Sequence, residues 1–388
     1  MTHRLLIAGA GIGGLAAALA CAQVGCEVTV LEAAAELGEV GAGIQLGPNA
    51  MKVVAKLGLQ SQVMQVASQP EAIVIADAAS GKPISRMLLG KAVAQRYGAP
   101  YVSLHRADLH RVLLAAAQAA GVAIHTGQSL SKYEHSAQEV YRLDANLALK
   151  SDALIGADGL WSKVREQLLA DGPPRATGHA AFRALIAADH MPQALRTPHV
   201  RTWWARDVHV VSYPLRGGQL WNLVVLAEMP GSDQSGWSLQ ASSNEVMQLF
   251  QRTEPQLREL LEAGNTQGWR RWNLFDRAPL PATDMARGRV ALLGDAAHPM
   301  LPYLAQGAAM ALEDAWRLAR SLTAYQDAPT ALAHYAKIRA LRKERVVRTA
   351  QRNGRIFHLT GPLALARNAV LALQGTQVLG MPWLYGVE

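Results

Sequence analysis

The sequence is poor in cysteine, in charge and in long apolar runs, and each shortage excludes a class of protein. Cys21 and Cys26 are the only cysteines among 388 residues, which excludes a disulfide-stapled secreted domain. Their spacing fits neither a CxxC redox pair nor a zinc site, so small buried side chains are the simpler interpretation. Charged residues make up 18% of the chain against 50% hydrophobic ones, which excludes a disordered protein.

The chain also lacks an uninterrupted apolar run of the about 18 residues that a membrane span needs. Residues 363–379 come nearest, but Arg367, Asn368 and Gln374 interrupt them. The apolar N-terminal residues 5–22 imitate a secretory signal, yet four glycines fall between positions 9 and 14, where a signal should be a continuous helix. We therefore expect a cytoplasmic protein that does not enter a membrane.

Positive charge is the one quantity in excess, with 38 Lys and Arg against 30 Asp and Glu, a net charge of +8. A basic balance is also typical of nucleic-acid-binding proteins, but no basic run is longer than Arg342-Lys343. Much of the excess has the spacing of a solvated face on one late helix. The residues concerned are Arg339, Arg342, Lys343, Arg345, Arg348 and Arg352. We therefore expect no nucleic-acid partner. The excess positive charge is expected to produce an electrostatic field that steers anionic ligands inward at low ionic strength.

The first motif lies between a short apolar strand at residues 5–8 and an alanine-rich helix at residues 15–24. The glycines Gly9, Gly11, Gly13 and Gly14 form a G-x-G-x-x-G turn, which lets backbone approach a pyrophosphate at a helix N-terminus. Glu32 ends the next strand, 18 residues after Gly14, where a carboxylate accepts hydrogen bonds from a ribose hydroxyl. Because that acid would repel a 2′-phosphate, the βαβ unit predicts binding of FAD or NAD rather than NADP.

Further elements follow from apolar periodicity and turn residues. We predict helices at 48–57, 107–120, 307–322 and 330–352, and strands at 122–126, 140–149, 153–155 and 289–293. Six of the nine tryptophans lie between residues 173 and 284, namely Trp203, Trp204, Trp221, Trp237, Trp269 and Trp272. Alternating runs at 209–213 and 220–226, joined through Gly217-Gly218, predict an antiparallel sheet with one covered face. A domain inserted within a Rossmann-like domain explains this order.

Two later segments accompany the first motif: GADGLWSKVR at 156–165 and GDAAHP at 294–299. Together the three resemble the single-component (group A) flavoprotein aromatic hydroxylases, in order and separation, over essentially the whole chain. The resemblance implies an α/β (α+β) fold of the para-hydroxybenzoate hydroxylase type. A Rossmann-like FAD-binding domain would occupy 1–172, with strands of the substrate domain interleaved at about 70–100. The antiparallel-sheet substrate domain would occupy 173–284, and residues 285–388 would complete the FAD-binding domain and add C-terminal helices.

The resemblance also assigns residues to a tightly but non-covalently bound FAD. Asp295 would bind the ribityl chain, Arg106 the pyrophosphate, and Asp158 both FAD and the nicotinamide cofactor. Gln306, Gly307 and Ala308 would face the isoalloxazine pyrimidine end, and the segment 41–50, which contains Gln45, would run past the ring. If the motifs are left aside, the simpler interpretation of Arg106 is a solvated charge at a helix start. The simpler interpretation of Asp158 is a helix cap. No second G-x-G-x-x-G is present, so NADH or NADPH would bind transiently, with O₂ as the other co-substrate.

Enzymes of this family form a flavin C4a-hydroperoxide and transfer OH to an electron-rich ring. A phenol is poorly nucleophilic until it loses its proton, so the site needs a base. His209 and Tyr213 are four apart on a predicted strand and project to one face. The same His-x-x-x-Tyr-Pro spacing occurs in the salicylate 1-hydroxylase and 3-hydroxybenzoate 6-hydroxylase branch, where the pair activates the substrate hydroxyl. His209 is the expected base; without the flavin motifs, plain packing would be the simpler interpretation.

The substrate is expected to be a monocyclic phenolic acid, of the salicylate or 3-hydroxybenzoate type. Pro299 and Gln306 belong to a stretch that resembles the wall of the substrate cavity, and Arg183 is a candidate for the carboxylate, with Arg216 weaker. Gln45 stands where hydroxynicotinate hydroxylases have a histidine, which disfavours a pyridine. Another ring (6-hydroxynicotinate, a quinone or a natural product) and a non-oxygenase NAD-linked Rossmann oxidoreductase stay open. We expect no metal, and a monomer or homodimer.

Overall fold

The computed structural model describes residues 3–38, 42–143, 149–231 and 239–386, so Gly41 and Trp237 lie outside the described residues. Its strands are β1 (Arg4–Ala8), β2 (Glu27–Leu31), β3 (Gly43–Leu46), β4 (Ala72–Asp77), β5 (Pro83–Leu88), β6 (Val102–His105), β7 (Ala123–His125), β8 (Tyr133–His135), β9 (Val140–Arg142), β10 (Lys150–Ser151), β11 (Ala153–Gly156), β12 (Arg175–Ala187), β13 (His199–Trp204), β14 (Val208–Leu215), β15 (Leu220–Glu228), β16 (Leu239–Ala241), β17 (Trp269–Asp276), β18 (Ala286–Arg287) and β19 (Val290–Leu292). Its α-helices are α1 (Ile12–Gln23), α2 (Pro48–Lys56), α3 (Gln60–Val66), α4 (Gly90–Tyr97), α5 (Arg106–Ala119), α6 (Lys163–Leu169), α7 (Ser243–Gln248), α8 (Pro255–Ala263), α9 (Ala282–Met285), α10 (Gly307–Ala324), α11 (Ala328–Phe357), α12 (Gly361–Leu379) and α13 (Pro382–Tyr385).

A six-stranded sheet in the order β18-β19-β11-β1-β2-β7 forms the first half of the molecule. All neighbours in it run parallel except the edge pair β18 and β19. Its central strands read as continuous apolar runs because α1, α5 and the late helices α10 and α11 cover both faces. The parallel pair β1 and β2, joined by α1, confirms the predicted βαβ unit.

The glycine turn after β1 is packed too closely for side chains. A Cβ on Gly14 would lie 1.9 Å from the carbonyl oxygen of Gly9, and a Cβ on Gly9 would lie 2.5 Å from that of Ala157. Gly9 also has φ +101, a conformation that favours glycine. The helix begins at Ile12 rather than at Leu15, because the last two glycines already form its first turn.

The prediction of one strand over residues 140–149 is wrong. The chain reverses there: β9 and β10 pair antiparallel, with Lys150 opposite Tyr141. Residues 144–148 between them lie outside the described residues. Asp144 and Asn146 in that segment are turn-forming residue types, which the alternation of apolar residues obscured.

An eight-stranded sheet in the order β16-β17-β12-β15-β14-β13-β4-β5 forms the second half. Its neighbours are antiparallel except β13 and β4, which run parallel. The strand period of two divides its residues between the faces: Phe182 and Val210 pack with α8, through Leu257 and Leu260. The opposite face is turned toward the six-stranded sheet, and it carries the functional side chains described below. The mixed α/β architecture with a second, largely antiparallel sheet confirms the predicted fold class.

The expectation of one solvated basic face on the late helix is wrong for half of it. Arg339 and Lys343 on α11 are 2% and 1% exposed, and Arg342 is mostly buried. Arg339 and Arg342 are buried because α11 packs against α10, whose Glu313 and Asp314 are themselves buried and need positive partners. Lys343 instead donates from its Nζ to the carbonyl oxygen of Leu280. Arg345, Arg348 and Arg352 are exposed as expected.

In the described part of the chain, no single helix is both long and apolar enough to cross a membrane. Among the described helices, one pair, residues 328–357 and 361–375, is long and apolar enough when taken together, but it is bent by 116° at its break.

Candidate active site

One cavity of about 690 Å³ lies between the two sheets. The carboxyl ends of β1, β2 and β11 border one end of it, and β12, β14 and β15 of the second sheet border the other. Ligands of parallel α/β sheets bind at this edge, beyond the carboxyl ends of the strands. Of the residues predicted from sequence, thirteen line it: Gly9, Gly11, Gly13, Glu32, Gln45, Arg106, Asp158, Arg183, Tyr213, Asp295, Gln306, Gly307 and Ala308.

The first end of the cavity has the features of a nucleotide site. No atom lies within 4 Å of where a Cβ on Gly11 would stand, so the turn is open on its cavity side. Glu32 is held in place by two backbone amides, because its Oε2 accepts from Ala10 N at 2.8 Å and its Oε1 from Ala34 N at 2.9 Å. Gly14 does not line the cavity; it serves the close packing of α1 on β1.

Asp158 helps to cap a helix and also lines the cavity. Its carboxylate accepts from Ser162 Oγ at 2.6 Å and from the amides of Lys163 and Val164 at 2.8 and 3.2 Å, so it helps to cap α6. Burial raises the pKa of Asp158, and the hydrogen bonds from Ser162 and the backbone only partly oppose this. The same residue lines the cavity beside Gly159, so the cap also sets the position of a carboxyl group there.

The middle of the cavity is bordered by the turn after β19 and by the start of α10. Gly294 has φ +61 and brings the exposed side chain of Asp295 to the cavity. Gly307 begins the 18-residue α10, whose first amides have no partners within the helix and whose dipole favours negative charge. Gln306, just before it, is buried and accepts a hydrogen bond from Asn49 Nδ2 at 2.9 Å.

A buried ionic network supports this turn from behind. Asp314 is 0% exposed. Its Oδ2 accepts from Gly294 N at 3.0 Å and lies 2.5 Å from His298 Nε2. Its Oδ1 accepts from Arg339 Nε at 2.5 Å. Glu313 binds Arg339 at 2.8 Å, and Arg342 also hydrogen-bonds it. The turn that carries Asp295 is therefore attached to α10 and α11 through charge-assisted hydrogen bonds.

The other end of the cavity is mostly apolar, with a few polar groups. Val211, Val224, Leu226 and Met300 line it together with Arg183 and Tyr213. Burial raises the pKa of Tyr213 well above its usual range, despite the nearby charge of Arg183, so the residue stays a phenol that donates a hydrogen bond.

Arg183 is a half-buried cation with no acidic partner among the described residues. Its guanidinium lies over the ring of Trp272 at 4.9 Å, and its Nε is buried with no hydrogen-bond partner. Burial, and secondarily the charge of Arg106, lower the pKa of Arg183. The pKa is lowered because burying a charge without an anionic partner costs free energy. Arg216, the weaker candidate, is already engaged, because its Nε donates to Asp108 Oδ2 at 2.8 Å.

His209 does not line the cavity but borders it. It is 1% exposed, and it pairs across the strands with Leu226 and stands two residues from Val211, both of which line the wall. Burial, then the neighbours His358 and His179, lower the pKa of His209 well below 6.5, so its ring is neutral at neutral pH. Its Nδ1 lies 3.0 Å from His358 Nε2.

Placing Pro299 in the cavity wall is wrong. Pro299 is buried outside the lining, directly after His298, which is tied to Asp314; Met300 and Pro302 form the wall instead.

Sequence reasoning missed three polar residues around the cavity. Tyr101 donates to Gln45 Oε1 at 2.6 Å, Asn222 Oδ1 accepts from Gly43 N at 2.8 Å, and His358 meets His209. Each stands alone in the sequence, with no motif around it, and reaches the site only through the packing of distant elements. Among them, only Asn222 had a usable signal, a polar residue inside an apolar strand.

The glycine turn, the acid at the end of β2 and the cavity under a second sheet define a dinucleotide-binding protein of the Rossmann type. Comparison with known proteins extends this: a family model described as FAD binding domain matches residues 2–350. The chain belongs to this FAD-binding family, and within it to the flavoprotein aromatic hydroxylases, as the motif resemblance predicted; FAD is its cofactor. Membership also rules out the alternative of an NAD-linked dehydrogenase.

Two curated relatives match over nearly the whole chain. The 3-hydroxybenzoate 6-hydroxylase of Polaromonas naphthalenivorans is 41% identical, covering 98% of this chain and 95% of its own. The 3-hydroxybenzoate 6-hydroxylase 1 of Aquipseudomonas alcaligenes is 39% identical, covering 100% and 98%. Among solved structures, HpxO of Klebsiella pneumoniae, in complex with FAD and uric acid, superposes with a TM-score of 0.87 at 26% identity, covering 99% of this chain and 96% of that one.

The residues present fit FAD. The open side of Gly11, the exposed carboxylate of Asp295 and the start of α10 all border one cavity, and they supply donors for a pyrophosphate, an acceptor for a ribityl chain and donors for a flavin ring. Asp295→Ala should therefore purify with depleted FAD, because a ribityl hydroxyl loses its acceptor. The absorbance ratio at 450 to 280 nm measures this, and Asp189→Ala, at an exposed aspartate of the second half, is the control. Full FAD occupancy in Asp295→Ala would contradict the ribityl role.

Proposed function

We propose that the protein hydroxylates the ring of a monocyclic phenolic acid, of the salicylate or 3-hydroxybenzoate type, with NADH or NADPH and O₂ as co-substrates. The observation that carries the proposal is the unpaired guanidinium of Arg183, on the same apolar wall as Tyr213 and bordered by His209. An aromatic carboxylate with a ring hydroxyl complements a cation, an apolar wall and a base. The names of the two curated relatives support the same substrate class.

The chain's own residues would bind and orient this substrate. The guanidinium of Arg183 would receive the carboxylate, while Val211, Val224 and Leu226 would pack on the ring and keep water away. Tyr213 would donate its hydroxyl proton in a hydrogen bond to the substrate oxygen. Bound FAD would supply the reduction and oxygen-transfer chemistry of the family.

His209 would remove the proton from the substrate hydroxyl. A neutral imidazole can accept a proton, and burial keeps His209 neutral below the pH at which a free histidine charges. The base then leaves a phenolate, whose ring carbons are far better nucleophiles than those of the phenol.

A panel of hydroxylated aromatic acids tests the function. Substrate-stimulated NAD(P)H oxidation, with product identification, should pick out a monocyclic phenolic acid, and a panel without any hydroxylated product would overturn the proposal. Product identification is essential because an effector can stimulate oxidation without being hydroxylated.

Arg183→Gln tests the carboxylate site. We expect KM for the acid to rise about 10- to 100-fold, because the charge-assisted bond to the carboxylate is lost, which is worth about 1.5–3 kcal/mol. KM for the carboxamide analogue, which carries no charge, should change much less. Arg258→Gln, an exposed arginine on α8, is the control. Equal losses for acid and carboxamide would show that Arg183 does not bind the carboxylate.

A further inference from the structure

A row of three hydrogen-bonded side chains runs from the cavity wall to solvent. His209 Nδ1 lies 3.0 Å from His358 Nε2, and His358 Nδ1 lies 3.0 Å from Glu228 Oε1. His209 is on β14, Glu228 ends the neighbouring β15, and His358 caps the C-terminus of α11. The two imidazoles are buried, whereas the Glu228 side chain is 41% exposed.

The chemistry of these contacts fixes where each proton lies. The carboxylate of Glu228 can only accept, so His358 must carry its proton on Nδ1. A neutral His358 then offers Nε2 as an acceptor, which requires His209 to donate from its own Nδ1. His209 is thereby left with a lone pair on Nε2, the form that can accept a proton.

The other groups around His209 add no competing partner. Tyr303 lies with its ring centroid 5.4 Å from that of His209, but its hydroxyl hydrogen-bonds His179 Nδ1 at 2.8 Å. Phe357 packs edge-on against His209 at 5.4 Å and is apolar. Among the described residues, Nε2 of His209 has no hydrogen-bond partner, so the row through His358 alone sets its tautomer.

We infer that Glu228 and His358 are positioning residues: they hold His209 in the Nδ1-protonated tautomer and face the positive charge that it acquires. The inference rests on the proposed function of His209. When the phenol O–H bond breaks, the Nε2–H bond forms and His209 becomes an imidazolium. The Glu228 carboxylate, one imidazole away, compensates that charge at the mostly apolar end of the cavity.

Nitrogen NMR of the histidine rings tests the tautomer without any turnover. In the FAD-loaded wild type at pH 7.5, with the His209 signals assigned by their loss in His209→Gln, both His209 and His358 should carry the proton on Nδ1. Glu228→Ala should lower the Nδ1-protonated fraction of His209 at least twofold. Because Glu228 is at the surface, this variant should fold and retain FAD.

Kinetics of the same variants give the second readout. Glu228→Ala should lower kcat for phenol hydroxylation about tenfold, with KM changed less than twofold. The acid limb of its pH–rate profile should move relative to that of the wild type. Glu228→Gln, whose amide oxygen can accept the same bond, should recover most of the tautomer and of the rate. Glu262→Ala, an exposed glutamate on α8, is the control.

A proton on Nε2 of His209 in the wild type would overturn the inference. So would a Glu228→Ala variant with unchanged tautomer and unchanged pH profile. A protein that shows the expected tautomer but hydroxylates no phenolic acid would instead contradict the proposed function, so the two failures are distinguishable.

Discussion

His209→Ala should lose phenol hydroxylation by about 10²–10⁴-fold, the usual contribution of a positioned general base. The imidazole borders the substrate end of the cavity, whereas His179, on the same face of the sheet, is hydrogen-bonded to Tyr303. FAD content should stay near that of the wild type, because His209 is not among the residues around the nucleotide end. Product formation per unit time, measured at saturating substrate, gives the effect.

The pH profile separates a base from a packing residue. Because the pKa of His209 lies well below 6.5, wild-type activity should stay level as pH falls to 6.5 and decline only at more acidic pH. Without the base, only substrate that ionises by itself reacts, so the rate of His209→Ala should rise about tenfold per pH unit up to the phenol pKa, near 10. His190→Ala, an exposed histidine, is the control. Hydroxylation by His209→Ala at the wild-type rate across pH would show that His209 is not the base.

Asp314→Ala should destabilise the protein by about 3–5 kcal/mol, which is the cost of leaving a buried charge without its partner. Arg339 would lose one of its two carboxylates, His298 its Nε2 partner, and the Gly294 amide its acceptor. With a total stability of about 5–15 kcal/mol, such a loss leaves the domain marginal and the Asp295 turn unsupported. Urea unfolding of the variant and its FAD content measure both consequences.

Acid titration of stability provides a further check on Asp314. Burial alone would raise its pKa, but His298 and Arg339 outweigh burial and lower it. A carboxyl with a lowered folded pKa contributes stability above its unfolded pKa of about 3.9, and the contribution is lost as pH falls further. Asp314→Ala should therefore show a flatter acid profile than the wild type.

Glu344→Ala is the matched control for that experiment. Glu344 lies on the neighbouring α11 and forms an ion pair with Arg348, but both side chains are well exposed. Its loss should cost no more than about 1 kcal/mol. Equal midpoints for Asp314→Ala and Glu344→Ala would contradict the structural role of the buried network.

The features that sequence predicted are those governed by local rules. The glycine turn, its strand and helix, and Glu32 were predictable because each is fixed by backbone conformation within 32 residues. The pairing of His209 and Tyr213 on one face followed from the period of a strand. Their position on the face opposite α8 could not be derived, since it depends on which side of the sheet the helices cover.

What sequence missed depends on contacts between distant segments. His358 lies 149 residues from His209, and nothing near it distinguishes it from a surface histidine. Arg339 and Lys343 have the spacing of a solvated face, but the packing of α11 on α10 buries Arg339, and Lys343 reaches the carbonyl oxygen of Leu280. The reversal between β9 and β10 was hidden because the apolar alternation of the sequence continues without a break from one strand to the other.

The order of strands in the six-stranded sheet has a consequence for synthesis of the chain. The cavity needs Ala8 from the first strand and Ala311 from α10, so a ribosome adding 5–20 residues per second takes roughly 15–60 seconds to pass from one to the other. During that interval β11 has no β19 beside it, and α1 has no α10 to cover it. Nascent chains are thus the form most open to aggregation and proteolysis, and FAD can stabilise the protein only after nearly four-fifths of it has been made.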